Sequence, residues 1–296
     1  MRVRVRDGGL WFDVSGPSLV VAGGEVLERP TLVTVHGGPG FDHTWMKAAL
    51  GPLTESAQLV FYDQRGHGRS DYGTSDQWNL RSWATDLRDL CDVLGLAHPV
   101  VLGSSFGGFV VATYAAMFPD HPGGIVLSNT TGGRADHALS IEVFRRIGGD
   151  EAAAVARRDF EEITEESAEA FNRVCLPLFS ARPGYAEENQ RRLRLSVRTT
   201  DVNLHYWRNE AGRMDPWSLL DQVRCPVLVI AGEDDPMCPM PIVEELAGQL
   251  TSVSDVELLR LPDARHAVFR DAPQTAFPAV LRFLDQHTPE GGGKPN

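Results

Sequence analysis

Nine residues, Val100 to Gly108, limit what this chain can fold into more than any other stretch. The apolar run Pro99 to Leu102 stops abruptly at Gly103-Ser104-Ser105-Phe106-Gly107, and a second apolar run, Phe109 to Phe118, follows. The first run reads as a strand and the second as a buried helix, so Ser105 lies at the tip of a sharp turn between them. In such a turn, side chains two positions before and after the serine would strike neighbouring backbone, and Gly103 and Gly107 remove them. The helix that follows aims its positive N-terminal end at the serine hydroxyl. A Gly-x-Ser-x-Gly pattern is short enough to occur by chance. The strand before it, the helix after it and the partners found elsewhere give it meaning.

The rest of the chain repeats that alternation. Residues 2–6 and 10–14 flank Asp7-Gly8-Gly9 and predict a hairpin, followed by a Pro/Gly-rich connection. Strands are predicted over 31–35, 58–62, 124–128, 226–231 and 256–261, those at 31–35 and 124–128 buried, with helices at about 44–50, 79–94, 241–250 and 275–287. Strands separated by helices make a mostly parallel sheet with helices on both faces, the α/β class. Between about 131 and 218 helical patterns continue, no strand stands out, and charge gathers in runs such as Glu161 to Glu166. The expected organisation is an α/β core over 1–130 and 219–287. A helical cap over 131–218 is inserted after the strand that follows the serine helix, and a tail at 288–296 is expected to be disordered. Open parallel sheets bind ligands beyond the carboxyl ends of their strands. His36-Gly37-Gly38, Asp63-Gln64-Arg65, Ser105, the 232–239 loop and the loop holding His266 all follow strand ends, so they are expected to meet on one edge, beneath the cap.

Composition narrows the partners. A net charge of −12 argues against nucleic acid and against an anionic membrane surface. No apolar run approaches the roughly 18–20 residues of a membrane helix, and no apolar segment follows the charged Met1 to Arg6 as a secretory signal would require. Cys91, Cys175, Cys225 and Cys238 form no Cys-x-x-Cys pair and no zinc-spaced cluster with histidine, and read as reduced thiols. The expectation is a cytoplasmic protein acting on a small molecule or short peptide, with no metal and no organic cofactor. No feature bears on its oligomeric state.

A serine hydroxyl is a poor nucleophile until a base takes its proton, and the base needs a carboxylate to orient it. The 232–239 loop follows a strand and carries three acids; Asp235 is the first choice, with Asp234 and Glu233 behind it. His266, after the last strand, is the expected base, in the chain order serine, acid, histidine. His36 and His67 sit in glycine-rich loops and read as loop organisers, while the remaining histidines carry no spacing argument. An oxyanion would need two backbone N–H donors, expected from Phe106 and from the His36–Gly40 loop, at Gly38.

Three motifs in order, His36-Gly-Gly-Pro-Gly40, Asp63-Gln-Arg-Gly-His-Gly-Arg-Ser70 and Gly103-Ser-Ser-Phe-Gly-Gly108, resemble those of the prolyl aminopeptidase (proline iminopeptidase) family of α/β-hydrolases. The resemblance runs from the first strand to His266 and is weakest in the cap. It implies a Ser105–Asp235–His266 triad, oxyanion donors at Gly38 and Phe106, and removal of an N-terminal residue, often proline, from short peptides or amides. It also implies a cap carboxylate that holds the substrate's ammonium group, matched here by Glu210 in Trp207-Arg-Asn-Glu210. Some members carry a second such glutamate directly after the triad aspartate, where this chain has Pro236. An esterase or lactonase on a small acyl substrate without a free amine is therefore the alternative, and a slow-turnover, hydrolase-like ligand receptor is a third reading.

Overall fold

A computed structural model describes residues 1–288. Most of the tail expected over 288–296 lies outside the described residues. β1 (Arg2–Val5) and β2 (Gly8–Ser15) form the hairpin that Asp7-Gly8-Gly9 predicts. β3 (Leu19–Ala22) and β4 (Glu25–Glu28) then make a separate two-stranded hairpin where only a connection was expected. Its turn is Gly23-Gly24, with φ of 63° and 87°. The alternating part follows as β5 (Thr31–Val35), α1 (Thr44–Ala49), β6 (Gln58–Tyr62), α2 (Leu80–Val93), β7 (Val100–Ser104), α3 (Phe106–Met117) and β8 (Gly124–Ser128). α3 starts three residues before the expected Phe109, because the turn at Ser105 leads directly into it.

A helical excursion then leaves the sheet: α4 (His137–Glu161), α5 (Glu165–Val174), α6 (Tyr185–Leu195), α7 (Thr200–His205), a π turn at Tyr206–Glu210 and a 3-10 segment at Pro216–Gln222. The chain returns as β9 (Val227–Gly232), α8 (Met240–Gln249), β10 (Val256–Leu261), α9 (Val268–Asp271) and α10 (Pro273–His287). The sheet order is β1-β2-β6-β5-β7-β8-β9-β10, antiparallel through β2/β6 and parallel from β6 to β10.

Both faces of the sheet are buried, and alternate residues divide between them. Val33, Val60, Val101, Ile125 and Val229 face α2, α3 and α8. Leu32, Leu59, Leu102, Val126 and Ile230 face α1 and α10. The register aligns Val35 with Gly103 and Tyr62, Ser104 with Ser128, and Leu261 with Gly232, so the carboxyl ends of the strands form one edge.

Glycine is required where that edge turns. A Cβ on Gly107 would overlap the Val35 carbonyl oxygen, and one on Gly103 would overlap the Gly107 carbonyl. The loop after β6 forms a polar floor beside them. Asp63 accepts the His43 N–H at 2.9 Å, the His43 Nδ1–H at 2.6 Å and the Arg69 N–H at 2.8 Å. Burial opposes the Asp63 charge, but the His43 hydrogen bond and nearby imidazoles outweigh it and hold the carboxyl down to about 2. His36 donates from Nδ1 to the Gly37 carbonyl at 2.9 Å and accepts the Gln64 N–H at 3.2 Å. His67 donates from Nδ1 to the Arg65 carbonyl at 2.9 Å, and burial, then His36, push its imidazole down to about 3.

Two expectations follow from this edge. Gly107→Ala should leave little folded protein or cost more than about 3 kcal/mol. Gly248→Ala, in α8 with open space where its Cβ would stand, should be neutral or stabilising by up to about 1 kcal/mol. Urea unfolding of the two variants checks the contrast. His67 takes up a proton in the unfolded chain below its ordinary value of 6.5 but not in the folded one until about 3, so stability falls as pH falls through that window. The slope from this one group is about 1.4 kcal/mol per pH unit. The decline measured between about pH 6 and 4 should be shallower by that amount in His67→Asn.

Candidate active site

Ser105 closes β7 and opens α3 with φ 55° and ψ −122°, a conformation L-residues rarely adopt. The surrounding bonds hold it there. Its N–H donates to the Ser128 carbonyl at 2.9 Å, and its own carbonyl accepts the Gly108 N–H at 2.9 Å. Ser105 is half-buried while its neighbours Ser104 and Phe106 are buried, so the turn lifts its side chain out of the packed layer. The Phe106 ring packs edge-on to Trp83 and Tyr206, with centroids 5.3 and 4.9 Å away.

Asp235 is fully buried in the loop after β9. Its Oδ1 accepts the N–H groups of Met237 at 2.8 Å and Cys238 at 2.9 Å. His266 Nδ1 lies 2.8 Å from Oδ2 and 3.0 Å from Oδ1 of Asp235. An ionised carboxylate only accepts, so this contact assigns the proton to Nδ1 and leaves Nε2 as the basic nitrogen. Of the three acids in the loop, Asp235 is the one bonded to the histidine. Asp234 points away and pairs with Arg146 of α4 at 2.5 Å.

The loops after β9 and β10 meet backbone to backbone. A Cβ on Gly232 would collide with the Ala264 and Arg265 carbonyl oxygens, and Asp234 N–H donates to the Ala264 carbonyl at 3.1 Å. This approach brings Asp235 within reach of His266, and Gly232 has a role that its mere presence in an acidic loop did not reveal. Cys238 lies in the same cluster, with donor atoms of Asp235, Cys238 and His266 within 4.8 Å of one another. Those atoms are already committed. The thiol donates to the Asn129 carbonyl at 3.1 Å, burial pushes it up, and His266 Nδ1 is engaged by Asp235.

The glycine loop after β5 lies against the serine. A Cβ on Gly37 would stand 3.2 Å from Ser105 Cβ and 3.0 Å from the Ser104 carbonyl oxygen. Gly38 follows with φ 134°. Among the described residues, neither the Gly38 nor the Phe106 amide donates a hydrogen bond. Two free N–H donors next to a strained serine are what an anion there would need.

Glu210 stands apart from this group. Arg213 donates to its Oε1 at 2.9 Å, and His205 Nε2 lies 3.7 Å away. It lines a surface hollow of about 380 Å³ with Asn79, Arg81, Tyr206, Arg213 and Met214, and none of Ser105, Asp235 and His266 lines that hollow. Two further groups escaped the sequence reading: His43, which holds Asp63, and Asp271, a buried acid in α9 that bonds to the His266 loop. Both act through hydrogen bonds between loops and helices, which leave no periodicity or spacing to read.

The comparisons with known proteins agree with this fold. A family model described as the alpha/beta hydrolase fold matches residues 30–273. A proline iminopeptidase of Lactiplantibacillus plantarum is 26% identical over 275 residues, covering 88% of this chain and 94% of that one. A Bacillus subtilis protein provisionally named 2-succinyl-6-hydroxy-2,4-cyclohexadiene-1-carboxylate synthase is 28% identical over 261 residues, covering 86% and 89%. Among solved structures, a proline iminopeptidase-related protein from Thermus thermophilus superposes with a TM-score of 0.74 at 24% identity, covering 98% of each chain. The relatives' names differ at nearly equal identity, so they fix the family and not the reaction. With an eight-stranded, mostly parallel sheet, helices on both faces and a model match across most of its length, the chain belongs to the α/β-hydrolase fold family.

Proposed function

We propose that this protein is a serine hydrolase that works through an acyl-enzyme. The observation that carries the reading is the buried Asp235–His266 hydrogen bond, on the same sheet edge as a serine held at positive φ. Ser105 Oγ attacks the substrate carbonyl carbon while His266 Nε2 takes the hydroxyl proton. The carbonyl π electrons move to oxygen, and the N–H groups of Phe106 and Gly38 receive the resulting oxyanion, an effect worth roughly 3–4 kcal/mol per donor. As the tetrahedral species collapses, His266 gives its proton to the leaving group and the acyl group stays on Ser105. Water, giving a proton to His266, then attacks the acyl carbon; the bond to Ser105 Oγ breaks, His266 returns the proton to that oxygen, and the acid is released. Asp235 fixes the imidazole tautomer and stabilises the imidazolium without taking its proton.

The substrate has two readings. Full-length similarity to proline iminopeptidases favours an N-terminal aminoacyl amide or short peptide, with Glu210 on the ammonium. The surroundings of Glu210 favour the other. Its carboxylate already faces Arg213, and the hollow it lines adds Arg81, so a substrate ammonium would enter a field that is not net negative. Pro236 stands where some members of that family carry a second glutamate, directly after Asp235. A small ester, amide or lactone without a free amine is the reading that this geometry supports best.

Proline and alanine 4-nitroanilides, run beside 4-nitrophenyl acetate and butyrate, separate the two. Turnover of the esters, with the anilides inert, is the expected result. Anilide turnover that disappears on acetylating the amine would reinstate Glu210 as an ammonium site. Ser105→Ala and His266→Ala should each lower kcat by at least about 10³-fold. In the wild-type protein kcat/KM should fall toward acid pH, because a general base acts only while it is unprotonated. A flat profile from about pH 5 to 9, together with full activity in Ser105→Ala, would sink the serine mechanism.

A further inference from the structure

We propose that Asp271 is a positioning residue for His266, and that through it the cap sets the place of the general base. The inference rests on the serine-hydrolase reading. Among the described residues the ring of His266 has one hydrogen-bonded partner, Asp235, and that contact leaves the height of the imidazole above the strand edge open. Its two neighbours supply the rest. Arg265 N–H donates to Asp271 Oδ2 at 2.9 Å, and Ala267 N–H donates to the Phe179 carbonyl at 2.8 Å. The residues on either side of the base are thus tied, one to a buried carboxylate and one to the cap.

Asp271 joins the two ties. Its Oδ1 accepts the Ser180 hydroxyl, and its Oδ2 also accepts the Ala181 N–H at 3.1 Å. Its backbone carbonyl accepts Arg182 Nη2 at 2.7 Å and Nε at 3.0 Å. Arg265 reaches back to the Leu178 carbonyl at 3.3 Å. Cap residues 178–182 therefore fold around the carboxylate, and Phe179 is carried onto the imidazole, with ring centroids 4.7 Å apart at 65°. Asp271 is 4% exposed, so these bonds are shielded from water and hold a charge that would otherwise be costly to bury. Another direct tie between the cap and these loops, Arg146 to Asp234, joins half-exposed side chains and is worth much less.

The substrate is not needed for the test. An alkyl fluorophosphonate binds reversibly and then phosphonylates the activated serine, so its inactivation rate constant reads base positioning and its binding constant reads the pocket. Asp271→Asn keeps the shape but presents an NH2 to one of the groups now donating. Its inactivation rate constant should fall at least about 10-fold while the binding constant stays within about twofold. Ser180→Ala removes one of the carboxylate's partners and should lose about 2–5-fold, which keeps the test open if Asp271→Asn folds poorly. Asp271→Glu should recover part of the loss. Leu90→Ala, a core truncation on the opposite face of the sheet, controls for lost stability and should label at the wild-type rate. Wild-type labelling rates in both Asp271→Asn and Ser180→Ala, or losses no larger than in Leu90→Ala, would overturn the positioning role and leave the hydrolase reading intact. Failure of the wild-type Ser105 to label would overturn both.

Discussion

Backbone lies directly against backbone at the carboxyl edge of the sheet, and the rest of the site depends on that contact. Gly107 meets the β5 carbonyl, Gly103 meets the turn that it precedes, and Gly232 meets the loop after β10. At each place a methyl group would push two strand ends apart. A carboxylate–imidazole hydrogen bond tolerates only a few tenths of an ångström before it weakens. The absence of side chains at these glycines is therefore what allows Asp235 and His266 to face each other at 2.8 Å.

The electrostatics of the edge are arranged in two layers. The floor is made of buried polar groups in fixed states: Asp63 held ionised by His43, and His67 held neutral by burial. Beside it are the groups with capacity left over among the described residues, namely the serine hydroxyl, the His266 nitrogen that Asp235 does not bind and two amides that meet no acceptor.

Much of this was legible in the sequence, for identifiable reasons. Parallel strands buried on both faces read as continuous apolar runs, so β5 to β9 stand out, and glycines at Ser105 mark a turn whose sterics admit nothing else. Asp235 and His266 followed from chain order. The β3–β4 hairpin was missed because its strands are short and its described side chains are mostly exposed, so no buried face imposes alternation. His43 and Asp271 were missed because a carboxylate that bonds to distant backbone amides places no demand on neighbouring residues. The resemblance offered Glu210 as an ammonium site, but sequence carries no sign of the Arg213 contact that offsets its charge.

The cap leaves the sheet after β8 and returns at β9, and these two strands are direct neighbours, with Ser128 beside Ile230. The start and end of nearly a hundred residues are thus held one strand spacing apart, about 4.8 Å. Closing a long insertion costs little more than closing a short one. Inheritance can lengthen, shorten or exchange this excursion while the strands on either side keep their partners. The hydrogen bonds that Asp271 makes to Ser180 and Ala181 on one side and Arg265 on the other are points where an exchanged excursion would have to match the strands it leaves in place.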